Sequence, residues 1–352
     1  MPAVCGACVG NRGEDDDMTG MKRDTLEEPV SECNPAPARS AEEQAWLDCA
    51  PVGREREGWC DGQPVDAHRL DPASAQSVGQ GADIEVHPVN PEVATEIDVR
   101  LRAIEAEFGV RILYACESGS RGWGFASPDS DYDVRFIYVH PLAWYLQVYP
   151  QRDVIELPIS DELDINGWEL RKALGLLRKG NATLIEWLDS PIVYRADACF
   201  LQAVRTAACQ VHRPERSFHH YIHMARKNYR EYLCGDTVRL KKYLYVLRPL
   251  LAALWIEQGR GVAPMRFQEL VDAILADPAL IAAVKVLLDM KRRSGERAHG
   301  QPMPVINAFI EAELARLEVF SPAAGRETDF SILDQVLMET VLRMNGRAAT
   351  SA

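Results

Sequence analysis

Cys116-Glu117-Ser118-Gly119-Ser120-Arg121 leads, through a turn rich in Gly, Ser and Asp, to Asp131-Tyr132-Asp133-Val134-Arg135-Phe136-Ile137-Tyr138-Val139. The architecture turns on this stretch. Just before it, Val110-Arg111-Ile112-Leu113-Tyr114-Ala115 is β-branched, aromatic and apolar, so it reads as a buried strand. Val134 to Val139 reads as a second strand. The small-residue turn between them lets backbone amides approach an anion. Asp131 and Asp133 stand two positions apart, so on an extended chain both carboxylates share a face. Adjacent anions raise each other's pKa unless positive charge sits between them. A divalent metal that prefers hard oxygen donors is the usual resolution.

Outward from this unit, the pattern predicts a small mixed α/β domain and then helices. Asn90-Pro91 reads as an N-cap with proline at the first helical position. Val93, Ile97, Leu101, Ile104 and Phe108 follow at helical spacing, and Gly109 ends the helix. Ile155–Pro158 and Leu163–Asn166 are short extended candidates. If the second lies beside the Asp-x-Asp strand, Asp164 completes a cluster of three carboxylates, with Asp161 and Glu162 as competitors. Trp168–Arg178 and Ala182–Leu188 read as helices, the latter stopped by Ser190-Pro191. Beyond about residue 195 no strand signal is read, and helices are expected over 196–211, 217–233, 237–257, 265–276, 278–294, 304–318 and 329–344. Tyr243 to Ile256 is apolar all round, the mark of a central buried helix, with Pro249 inside it. The fold class is therefore α+β. Residues 1–82 read as a disordered acidic extension, 83–194 as the catalytic domain, 195–344 as an all-helical domain and 345–352 as a tail.

The 352 residues carry a net charge of −13, but unevenly. Residues 1–90 hold 18 Asp/Glu against 7 Lys/Arg, so the rest is nearly neutral. Within it, Arg213 to Arg248 holds nine Lys/Arg against three acids, a local excess that suits phosphate binding. The same run also reads as a solvated helix face. Of nine cysteines, five fall in the first 60 residues. Cys5 and Cys8 have no second pair at zinc-finger spacing. No apolar run approaches the roughly 18 residues of a membrane span. Scattered thiols and the lack of a signal-peptide pattern point to the cytoplasm.

The Gly119-Ser120 pair, ten intervening residues and then Asp131-x-Asp133 resemble the nucleotidyltransferase superfamily related to DNA polymerase β. Within it, Glu117-Ser118-Gly119-Ser120-Arg121-Gly122-Trp123-Gly124-Phe125 and Ser127-Pro128-Asp129-Ser130-Asp131 look like one bacterial branch. Asp164-Ile165-Asn166-Gly167-Trp168 and Arg239-Leu240-Lys241-Lys242-Tyr243 do too. That branch comprises predicted nucleotidyltransferases of RNA-repair pathways, the YcgL or RlaP type, and the likeness covers roughly residues 83–320.

The resemblance implies transfer of a nucleoside monophosphate from an NTP to an acceptor hydroxyl, with two Mg2+ ions. Asp131 and Asp133 would bridge both metals. Asp164 would hold the catalytic one and take the proton from the attacking hydroxyl. Gly119 permits close backbone approach, and Ser120 donates to a β- or γ-phosphate oxygen. Arg121 would reach phosphate or pair with Asp129. A helical domain in related enzymes supplies Lys and Tyr to the triphosphate, which points to Lys241 or Lys242, Tyr243 and Lys227. Glu117 and Asp129 are expected to order the loop. Trp123 and Phe125 would stack on a base or anchor the loop in the core. His219, His220 and His223 lack ligand-spaced companions for a metal. The branch and the basic segment favour an RNA 3′ end as acceptor. A protein or small-molecule hydroxyl, or a non-catalytic nucleotide-sensing or antitoxin-like role, remain the alternatives.

Overall fold

A computed structural model describes residues 89–159, 162–293, 299–320, 322 and 328–349. The acidic extension and the Cys5/Cys8 pair lie outside the described residues. Helix α1, Pro91–Phe108, starts as its residues dictate: Asn90 Oδ1 accepts from the Glu92 amide at 2.9 Å, and Gly109 closes it at φ 62°. Strand β1 (Arg111–Glu117) follows, then a single helical turn α2 (Gly119–Gly122) and strand β2 (Tyr132–Val139). A short turn α3 (Leu142–Tyr145) leads to β3 (Val154–Glu156) and β4 (Leu163–Glu169). Helices α4 (Leu170–Lys179) and α5 (Ala182–Leu188) precede β5 (Val193–Ala196).

The five strands form one mixed sheet in the order β3-β4-β2-β1-β5. The β2–β4 pair is parallel; the other three pairings are antiparallel. One face buries Tyr132, Val134, Phe136 and Tyr138 of β2 with Ile165 of β4 against Ile97, Leu101 and Ile104 of α1. The other carries Ile137 and Val139 against α4 and α5. A register shift between Ile112 and Tyr114 places Leu113 and Tyr114 together on this second face, as a bulge does. Gly167 belongs to the first face, where a Cβ would sit 2.3 Å from the Phe136 ring.

After β5 come α6 (Ala198–Val211), α7 (Pro214–Tyr232), β6 (Val238–Arg239), α8 (Leu240–Glu257), α9 (Phe267–Ile274), α10 (Pro278–Arg293), β7 (His299–Gly300), α11 (Pro304–Arg316) and α12 (Ser331–Ala349). Helix α8 is the centre of a separate apolar core, its residues from Tyr243 to Ile256 buried except the half-buried Tyr245 and Trp255, with Pro249 inside it. Helices α6 and α12 pack instead on the sheet-side core.

The sequence reading and the structure differ in five places. Trp168 lies on a strand, because β4 continues to Glu169 and that carboxylate caps α4 by accepting from the Arg171 and Lys172 amides. Strand β5, read as no element, is a half-exposed edge whose partner β1 lies far away in sequence. β6 and β7 form a two-residue pairing, too short for any period to announce. Helix α12 runs past residue 344, with Asn345 Oδ1 accepting from the Leu142 amide at 3.0 Å. Phe108 is exposed at the end of α1.

Candidate active site

The site lies where the C-terminal end of β1 meets the N-terminal ends of β2 and β4. In the parallel ladder Asp133 pairs with Asp164, Arg135 with Asn166 and Ile137 with Trp168. Alternation puts all six side chains on one sheet face. Asp133 and Asp164, 31 positions apart, are thereby lateral neighbours.

The Gly-Ser corner faces them. Gly119 has φ +56°, and a Cβ there would stand 1.8 Å from Asp133 Oδ2. Only glycine accommodates both the left-handed backbone and that approach. The Ser118 amide donates to Asp133 O at 2.8 Å, and the Asp133 amide donates to Glu117 Oε1 at 3.0 Å. The corner and the strand are thus fixed through the backbone of Asp133. Ser120 is buried at the same turn.

Glu117 is fully buried and accepts from the Tyr194 hydroxyl at 2.5 Å as well. Burial pushes its carboxyl up to about 7, against the lowering by these hydrogen bonds. Arg121 is only 4% exposed. Its guanidinium lies over the Tyr132 ring at 3.9 Å, donates to Ser130 O at 2.8 Å and stands 3.8 Å from Glu117. It braces the loop from within.

Between the two aspartates stands Arg135. One nitrogen, Nη2, is 2.7 Å from Asp164 Oδ2 and 3.3 Å from Asp133 Oδ1. Nη1 donates to Asp164 O at 3.0 Å. Burial raises the pKa of Asp133; the Arg135 charge lowers it, and the Asp164 and Asp131 charges raise it again. Asp131 is exposed at the mouth of β2, near enough for its charge to reach Asp133. Among the described residues, no three His, Cys, Asp or Glu side chains are gathered closely enough to hold a metal ion. The Asp133–Asp164 pair is the part of the donor set that fits one: two hard-oxygen acids already share a single cationic nitrogen.

The helical candidates lie apart from these acids in role. Tyr243 is buried, donates to Asn307 Oδ1 at 2.5 Å and accepts from the Met303 amide at 2.9 Å. Lys242 is half-buried, with Nζ 4.0 Å from the Tyr232 ring centroid and 5.0 Å from that of Tyr245. Tyr245 in turn touches Trp123 and Phe125, so the start of α8 is linked to the Gly-Ser loop through aromatic rings. Lys241 is half-buried and Lys227 exposed. Trp123 and Phe125 anchor the loop in the α8 core.

Sequence reasoning passed over Arg135, Lys291 and Arg248 in their actual roles. Lys291 of α10 is buried, and its Nζ donates to Ser127 Oγ at 2.8 Å and Ser130 Oγ at 3.3 Å, pinning the loop before Asp131. Arg135 alternates with Asp133 along β2, a signal that was present. Nothing local marks Lys291, which meets its partners more than 160 positions away.

The family described as RlaP, RNA repair pathway DNA polymerase beta family, matches residues 93–339. The protein YcgL of Bacillus subtilis (strain 168) is 47% identical over 243 residues, covering 68% of this chain and 94% of that protein. A nucleotidyltransferase-like protein of Exiguobacterium sibiricum 255-15, known from a crystal structure, is 12% identical and covers 63% of this chain and 75% of its own. Its TM-score is 0.26, too low to bear on the fold. No helix among the described residues is long and apolar enough to cross a membrane.

Proposed function

The chain belongs to the RNA repair pathway DNA polymerase beta family, and on that premise we propose that it is a magnesium-dependent nucleotidyltransferase acting on an RNA 3′ end. The observation that carries the reading is the in-register Asp133–Asp164 pair with the Gly119 corner closed against it. An NTP triphosphate would lie along that corner. Gly119 offers no side chain to obstruct it, and Ser120 would donate to a β- or γ-phosphate oxygen. Asp133 and Asp164 would hold Mg2+, and Asp131, exposed at the mouth of β2, would add its negative charge from outside the pair. When bound, the metal supplies Lewis-acid stabilisation of the phosphate charge. The acceptor hydroxyl oxygen forms a bond to the α-phosphorus as the bond to pyrophosphate breaks. Its proton passes to the Asp164 carboxylate, and positioning accounts for most of the remaining rate. Lys227, Lys241 and Lys242, on the basic segment, would attract the triphosphate tail and the RNA backbone. Arg121 and Tyr243 would contribute by holding the loop and α8 in place.

The test is incubation of the full chain with α-labelled NTPs, Mg2+ and tRNAs carrying intact or trimmed 3′ ends. Protein and small hydroxylated acceptors run in parallel. Label joined to RNA, and lost in Asp133→Asn, is the expected result. Label on another acceptor alone would remove RNA from the account. Tight NTP binding with no transfer to any acceptor would leave the nucleotide-sensing role.

A further inference from the structure

We propose that Arg135 is an internal competitor for the carboxylate pair: a positioning residue that yields Asp133 and Asp164 to a divalent cation and takes Asn166 as its other partner. This rests on the metal-dependent reading of the same edge. The first observation is mutual exclusion. Nη2 of Arg135 lies 2.7 Å from Asp164 Oδ2 and 3.3 Å from Asp133 Oδ1. A magnesium ion bonded to both acids needs carboxylate oxygens at about 2.0–2.1 Å. Ion and guanidinium therefore claim the same gap, and their like charges forbid sharing it.

The second observation is a waiting acceptor. Asn166 is the ladder partner of Arg135, on the same sheet face and one alternation step inward from Asp164. Its Oδ1 is buried and has no hydrogen-bond partner among the described residues. A buried acceptor left unmade costs free energy, and an arginine fork has five N–H donors to satisfy it. Arg135 thus has two stations within one side-chain swing. At the outer one it screens two acids that would otherwise repel. At the inner one it satisfies Asn166 and leaves the acids open. The outer pairing is partly buried, Arg135 15% exposed and its acids 29% and 28%, so a cation that enters must replace the Arg135 charge beside both acids rather than leave them bare.

The experiment titrates Mn2+ into the full chain without nucleotide and reads free Mn2+ by electron paramagnetic resonance. Arg135→Gln is expected to bind Mn2+ about tenfold more tightly than the parent chain, since it removes a competing positive charge. Asn166→Ala is expected to bind about threefold more weakly, since Arg135 loses its second partner. A purely structural Arg135 predicts the reverse for the first variant, a disordered pair with weaker binding. Affinity unchanged or reduced in Arg135→Gln overturns the inference while leaving the metal reading intact. Should Arg135→Gln fail to fold, Asn166→Ala decides alone, and equal or tighter binding there overturns it. No Mn2+ binding by the parent chain or either variant, at millimolar concentration, removes both this inference and the metal reading beneath it.

Discussion

Two arginine–carboxylate clusters in this molecule solve the same electrostatic problem in opposite ways. Arg248, 2% exposed, meets one acid: Nη1 donates to Glu186 Oε1 at 2.9 Å. Its Nε and Nη2 both reach Met265 O, and its guanidinium lies over the Trp123 ring at 4.7 Å. The Tyr221 hydroxyl also donates to Glu186, at 2.7 Å. Charge is balanced and the donors are met. Arg135 instead faces two acids at the solvent boundary, with Asp131 adding a third negative charge nearby. The first cluster is closed and joins α5, α7 and α8. In the second, two partly exposed acids share one guanidinium, the arrangement that the proposed cation site requires.

The largest expected effect breaks the closed cluster. Arg248→Leu leaves Glu186 buried without its counter-charge and should cost about 3–5 kcal/mol, read by urea denaturation. A loss under about 1 kcal/mol would erase the distinction between the clusters, since that is the range of exposed pairs. Next is Gly119→Ala. A left-handed backbone costs an alanine about 1–2 kcal/mol, and the new Cβ must push Asp133 aside. Transfer activity should fall about 100-fold, as displacements near 1 Å do. Unchanged single-turnover rates would show that the corner need not abut Asp133.

A smaller effect concerns pH. Glu117, pushed up to about 7 by burial, holds its proton more tightly folded than unfolded. Its contribution to stability is present below its ordinary value near 4.5 and is lost as pH rises through about 7. Melting temperatures of Glu117→Gln and the parent chain should therefore diverge in the variant's favour between pH 5 and 8. Parallel curves would contradict the assignment. The smallest effect is the counterpart of the first. Arg135→Gln, at a cluster partly open to water, should cost less metal-free stability than Arg248→Leu in the same urea assay.

How legible the two regions are follows from the range of the forces that build them. Strand alternation and short spacing put Asp131 and Asp133 on one face, whereas Asp164 stood out from Asp161 and Glu162 because Asp164-Ile165-Asn166-Gly167-Trp168 resembles the family and lies in an alternating stretch. Pairing of Asp133 with Asp164 then needed only the parallel β2–β4 neighbourhood. Gly119 could be read through the same resemblance, from the Gly119-Ser120 pair that precedes Asp131-x-Asp133. By contrast, Arg248 looked like one more cation in a basic run, yet it is buried with Glu186, 62 positions away. Arg121 looked free to face phosphate until Tyr132 and Ser130 enclosed it. Lys291 and β5 depend wholly on tertiary neighbours. Charge identity is written in the sequence; whether a charge faces water or a partner is decided by packing.

Asp133 and Asp164, as the proposed cation site, must work together with the Gly119–Ser120 corner. Calorimetric titration of a non-hydrolysable NTP into the parent chain and Asp164→Asn, each with and without Mg2+, addresses it most directly. Binding should require Mg2+ in the parent chain and be lost in the variant. Equal binding by both chains, or binding indifferent to Mg2+, would contradict it.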